Sequence, residues 1–143
     1  MLFGDDRSQW RRYLCEVWRK QCSGQPLEPL EWVIAGVVDR HPEYHPLLAE
    51  PETALTRDYF PELGETNPFL HLGMHIAIQE QLVSNRPAGV ADIYQRLAQR
   101  LGDPHQAEHL MIECLGETLW EAQRTGSAPD EGRYVHRLNR LVD

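Results

Sequence analysis

The chain has 143 residues, of which 41% are hydrophobic and 25% charged, and its formal net charge is −8. That length and balance suit a single domain over 1–143 that buries one core without staples, and they exclude disordered and fibrous classes. The acidic excess argues against a general DNA- or RNA-binding surface, because neutralising phosphates takes a clustered excess of Lys and Arg.

One local exception stands near the N-terminus, where Arg7, Arg11, Arg12, Arg19 and Lys20 fall close together. On an amphipathic helix such a run is read as the solvated face. Three cysteines, Cys15, Cys22 and Cys114, are an odd number without Cys-x-x-Cys spacing, which fits neither a disulfide framework nor a zinc ribbon and points to a reducing compartment. The opening MLFGDDRSQW carries acids and lacks the apolar stretch of a signal peptide, and no later segment approaches 18 uncharged apolar residues. A cytoplasmic protein without a membrane partner is expected.

In chain order, Trp10, Tyr13, Leu14, Val17 and Trp18 recur with the helical period, predicting a helix from Asp6 to Gln21 that stops at Gly24. Pro29 opens a second helix, and Leu30, Val33, Ile34, Val37 and Val38 carry it to Arg40; a β-strand is the rival reading for WVIAGVV. His41 and His45 each precede a proline, so HPEYHP reads as a turn or at most one helical turn. With Pro51 and Pro61 following, the stretch to Thr66 is predicted to be a long, mostly irregular connection.

Asn67 and Pro68 supply the cap and first position of a third helix, to Ser84, which is apolar nearly all round and so belongs in a core. A fourth helix runs from about Ala88 to Leu101 and stops at Gly102. Asp103 caps a fifth that ends at Gly126, and Tyr134, Val135, Leu138 and Leu141 mark a short last one. The expected fold is all-α: a compact bundle of five to six helices with a long irregular connection between the second and third.

Six of the seven histidines pair at a spacing of four: His41 with His45, His71 with His75, and His105 with His109. Random placement gives roughly 0.3 such pairs. On a helix this spacing sets both imidazoles on one face about 6 Å apart along the axis, close enough to chelate one ion. Beyond His109 the row of the fifth helix continues as Glu113, Glu117 and Glu121. If successive helices pack antiparallel, all three pairs meet at one end of the bundle. The plain alternative is that the histidines are ordinary hydrogen-bonding residues and the glutamates a solvated face. No Gly-rich phosphate loop, Gly-x-Ser-x-Gly elbow or His-Glu-x-x-His run is present.

The segments HPEYH, NPFLHLGMHIAIQEQ and ECLGETLWEAQRTGSAPD resemble the bacterial family known as domain of unknown function eighteen-forty-one, and the resemblance covers most of the chain. It implies a bacterial cytosolic protein and brings no catalytic role with it.

Two function classes follow. The first is a metal-binding helical domain with His71, His75, His109 and Glu113 as core ligands and His41, His45 and Glu117 as the next candidates. Nitrogen and oxygen donors without thiolate suit a divalent Zn, Ni, Mn or Fe, and an open coordination position would activate water for hydrolysis. The second is a non-enzymatic interaction domain, in which the 41–66 connection and the acidic row meet a protein partner or a second copy of the chain and the histidines are structural.

Overall fold

The periodic segments fold as helices. In a computed structural model, which describes residues 7–143, eight α-helices and two 3₁₀ turns make up the regular structure, and no strand occurs among the described residues. The α-helices are α1 (Arg7–Cys22), α2 (Pro29–Asp39), α3 (His45–Leu48), α4 (Pro51–Thr56), α5 (Pro68–Ser84), α6 (Val90–Leu101), α7 (Pro104–Thr125) and α8 (Glu131–Val142). Asp6, the expected start of α1, lies outside the described residues. WVIAGVV is helical, part of α2. Among the described residues no helix is long and apolar enough to cross a membrane.

Two details of the expected fold need correction. There are more than five or six helices, and the 41–66 connection is largely helical, holding α3, α4 and the 3₁₀ turns Pro42–Tyr44 and Pro61–Leu63. The prolines explain both. Pro42, Pro46, Pro51 and Pro61 each sit in the first turn of a short element, where a missing N–H costs nothing and the fixed φ favours the turn. Read in sequence as breakers, they act as starts.

The longer helices begin and end as their caps dictate. Asn67 Oδ1 accepts from the backbone N–H groups of Phe69 (3.0 Å) and Leu70 (3.2 Å), and Asp103 Oδ1 accepts from those of His105 (3.0 Å) and Gln106 (3.3 Å). Gly102 and Gly126 close α6 and α7 at φ 67° and 68°, a left-handed conformation that costs glycine little.

The chain forms two compact units, Met1–Ile76 and Ala77–Asp143. In the first, α1 packs on α2, α3 and α4 around Leu14, Val17, Ile34, Val37, Val38, Leu48, Phe69, Leu72 and Ile76. Arg11, only 2% exposed, donates from Nη1 to the carbonyls of Ala54 (3.0 Å) and Arg57 (2.6 Å), and its guanidinium lies 4.6 Å from the Phe69 ring centre. It therefore fastens α1 to the end of α4. Glu31 is also buried; its Oε1 accepts from the Glu28 N–H (2.8 Å) and its Oε2 meets Lys20 Nζ at 3.0 Å.

In the second unit α6, α7 and α8 pack on one another around Ile78, Val90, Leu97, Met111 and Leu138. Tyr134, buried, donates from its hydroxyl to Gln81 Oε1 at 2.6 Å. The division between the units falls inside α5, so this helix lends Phe69, Leu72 and Ile76 to one core and Ile78 to the other. Serving two cores is why it lacks a polar face.

Candidate functional site

In the first unit three histidines gather. His41 follows the last turn of α2; its N–H is bonded to Val38 O (2.9 Å) and its Nδ1 lies 2.7 Å from Val37 O. A carbonyl only accepts, so Nδ1 carries the proton and the lone pair of the neutral ring is on Nε2. The Tyr44 ring lies parallel to His41, 5.7 Å between centres and 2° between planes. His71 and His75, one turn apart on α5, bring their Nε2 atoms to 3.1 Å. Their ring centres stand 5.3 and 4.5 Å from that of His41. His41 and His75 are buried, at 2% and 0% exposure, and His71 is half-buried.

His45, the other half of the first pair, is engaged elsewhere. Its Nε2 donates to Val38 O at 2.8 Å and its ring stacks on Trp18 at 4.3 Å. With Nε2 carrying the proton, His45 acts as a tie between α3, α2 and α1.

In the second unit His105 and His109 start α7, held in register by the Asp103 cap, with ring centres 4.3 Å apart. The acidic row beyond them goes another way. A step of four residues turns about 40° around a helix of 3.6 residues per turn, so Glu117 stands about 120° from His105. Glu113 and Glu117 are both exposed, and Glu117 faces Arg137 Nε of α8 at 3.5 Å. Glu121 is bonded to Arg133 (3.0 Å) and to Arg137. Burial would raise the Glu121 carboxyl, but the hydrogen bonds from Arg133 and Arg137 outweigh it and hold the group below the usual carboxylate range.

The buried carboxylate of α7 is Glu108, at 2% exposure, with Gln79 Nε2 of α5 donating to its Oε2 at 3.1 Å. The expected ligand set did not include it. The signal for it was nonetheless in the sequence: His105-Gln106-Ala107-Glu108-His109 is His-x-x-Glu-His, the reverse of the absent forward motif. Gln79 likewise continues the α5 row of His71 and His75. The two buried thiols take no part: burial raises both Cys15 and Cys114, which keeps them protonated and inert.

The family described as Domain of unknown function (DUF1841) matches residues 6–140. The chain belongs to this family. The DUF1841 match takes in both units and every histidine pair, in agreement with the resemblance carried by HPEYH, NPFLHLGMHIAIQEQ and ECLGETLWEAQRTGSAPD. No curated protein and no solved structure matches the chain.

Proposed function

We propose that this DUF1841 protein is a divalent-metal-binding domain in which His41, His71 and His75 ligate one ion, while His105 and His109 form a second imidazole pair on α7. Buried His41 carries the reading: its Nδ1 proton is spent on Val37 O, the outer-shell bond that fixes the tautomer of a metal-binding imidazole and directs the Nε2 lone pair to an ion. The 3.1 Å between the Nε2 atoms of His71 and His75 also supports it, since two nitrogens about 2.1 Å from one tetrahedral ion stand about 3.4 Å apart. The reading takes the chain as one domain of 1–143. An unbroken family match over 6–140 and the continuity of α5 favour that.

His45, Glu113 and Glu117 leave the inner set, because His45 is tied to Val38 O and the two glutamates are exposed. An imidazole-rich set accepts Zn, Ni, Mn or Fe, and an open coordination position gives a water activated for hydrolysis. The exposed thiol of Cys22 suits a reducing compartment, so a cytoplasmic location belongs to the same reading.

Elemental analysis of protein purified without a His-tag tests the proposal. About one equivalent of metal is expected, His75→Ala should lose it, and X-ray absorption should count about three imidazoles around the ion, leaving one position for water. A protein that takes up none of the four metals and melts unchanged with chelator would replace this reading with the interaction domain.

A further inference from the structure

Four of the five cations in the basic run of α1 are engaged. Arg7 is bonded to Asp58, Arg11 to the carbonyls of Ala54 and Arg57, Arg19 to Glu16 through Nε (2.9 Å) and Nη2 (2.6 Å), and Lys20 to Glu31. Arg12, exposed, meets no carboxylate or carbonyl among the described residues. Its charge stands beside a cleft of about 550 Å³ between α1 and the junction of α3 with α4, all within the first unit. Cavities of about 300–1,000 Å³ are the size that small molecules fill.

The cleft is an elongated apolar floor with a cation at one end. Arg12, Cys15, Arg19 and Cys22 recur along one face of α1, and from Arg12 to Cys22 the helix rises about 15 Å. Buried Cys15 and Leu48 line the floor with Trp18, whose ring is held in place by stacking on His45 at 4.3 Å. His45 is itself tied to Val38 O, which makes this wall preformed. Glu16 at the rim is neutralised by Arg19, so Arg12 leaves the cleft with a net positive charge. A straight-chain carboxylate matches both features: its headgroup pairs with the planar guanidinium and its chain lies along the floor. A neutral apolar molecule would leave the charge unused, and an inorganic anion the floor.

We propose that this cleft binds a medium-length straight-chain carboxylate, its headgroup on Arg12 and its chain directed along α1 toward Cys22. His41, His71 and His75 are not among the lining residues, so the site is separate from the three-histidine cluster and does not rest on the metal reading. The floor is open to solvent on one side, so a chain lying on it is partly buried. Each extension by two carbons should therefore tighten Kd by about fivefold to tenfold, somewhat less than full burial would give.

Isothermal titration calorimetry of the full chain with octanoate, hexanoate and 1-octanol tests this. The exposed thiol of Cys22 is a second reporter, through its reaction with dithiodipyridine, a neutral disulfide reagent. Octanoate should bind at one site, more tightly than either hexanoate or 1-octanol, and should slow the Cys22 reaction. Arg12→Gln, at an exposed position, should weaken octanoate about fivefold or more and leave 1-octanol unchanged. Ala49→Trp, also at an exposed position, should fill the cleft and remove both the binding and the protection of Cys22. A chelator should change neither. A smaller loss in Arg12→Gln, or octanoate binding intact in Ala49→Trp, overturns the proposal. So does binding that the chelator abolishes, which would put the carboxylate on the ion. Absence of saturable octanoate binding, 1-octanol as tight as octanoate, or Cys22 reacting equally fast in saturating octanoate overturns it as well.

Discussion

Replacing Arg11 by Met removes two hydrogen bonds from the first unit while keeping a long apolar stem against Phe69. Hydrogen bonds from a charged donor contribute about 1.5–3 kcal/mol each, but the substitution also relieves the cost of holding a desolvated guanidinium. The two carbonyls then fare differently. Arg57 is exposed and its carbonyl regains water, whereas Ala54 is fully buried and its carbonyl is left with about 1–3 kcal/mol of desolvation. The net loss is about 2 kcal/mol, or a melting temperature lower by about 8 °C for a chain of this size. Urea unfolding followed by the fluorescence of Trp10 and Trp18, both on α1, reads it directly, with the midpoint falling at unchanged slope. Arg11→Lys, with one compact donor in place of a fork, should recover about half. A Met variant within about 0.5 kcal/mol of wild type would refute the account of Arg11 as the fastening of α4.

Ile76 and Ile78 are both fully buried on α5, so Ile76→Asp or Ile78→Asp should cost several kcal/mol, and two variants melting within about a degree of wild type would contradict the central place of that helix. The Glu31 carboxyl is held below its ordinary range by the Glu28 N–H first and Lys20 second. Its contribution to stability should therefore be complete above the unfolded value of about 4.3 and vanish as pH falls through the lower folded value. Wild type and Glu31→Gln should differ in urea midpoint at neutral pH and converge in acid. In a thiol titration with a disulfide reagent, exposed Cys22 should react at once and the buried Cys15 and Cys114 only on unfolding, while three fast thiols would show that α1 and α7 open readily.

Much of the helical plan was legible because its signals are local. The period of Leu14, Val17 and Trp18, the caps Asn67 and Asp103 and the stop at Gly126 each act within a turn or two of chain, and each helix they predict is present. Prolines misled the reading of 41–66 because the same ring that ends one helix can begin the next. Pro46 and Pro51 do both in a span too short for a hydrophobic period to show. Among the site residues, a spacing of four brought out the pairs but not their rotation: 40° per step carries Glu113 and Glu117 away from His105, and Glu108, at a step of three, is the carboxylate that is buried.

By itself, then, the sequence determined the helices, their caps and the pairing of His71 with His75 and of His105 with His109, because backbone geometry within one helix settles which side chains share a face. Only the tertiary structure decided that His41 is buried against Val37 O while His45 stacks on Trp18, that Arg11 holds α4, and that Glu108 is bonded to Gln79. Each of these is a polar group buried against a partner on another element or beyond its helix end. The free energy that selects it comes from desolvation and packing on both sides, which no local pattern records.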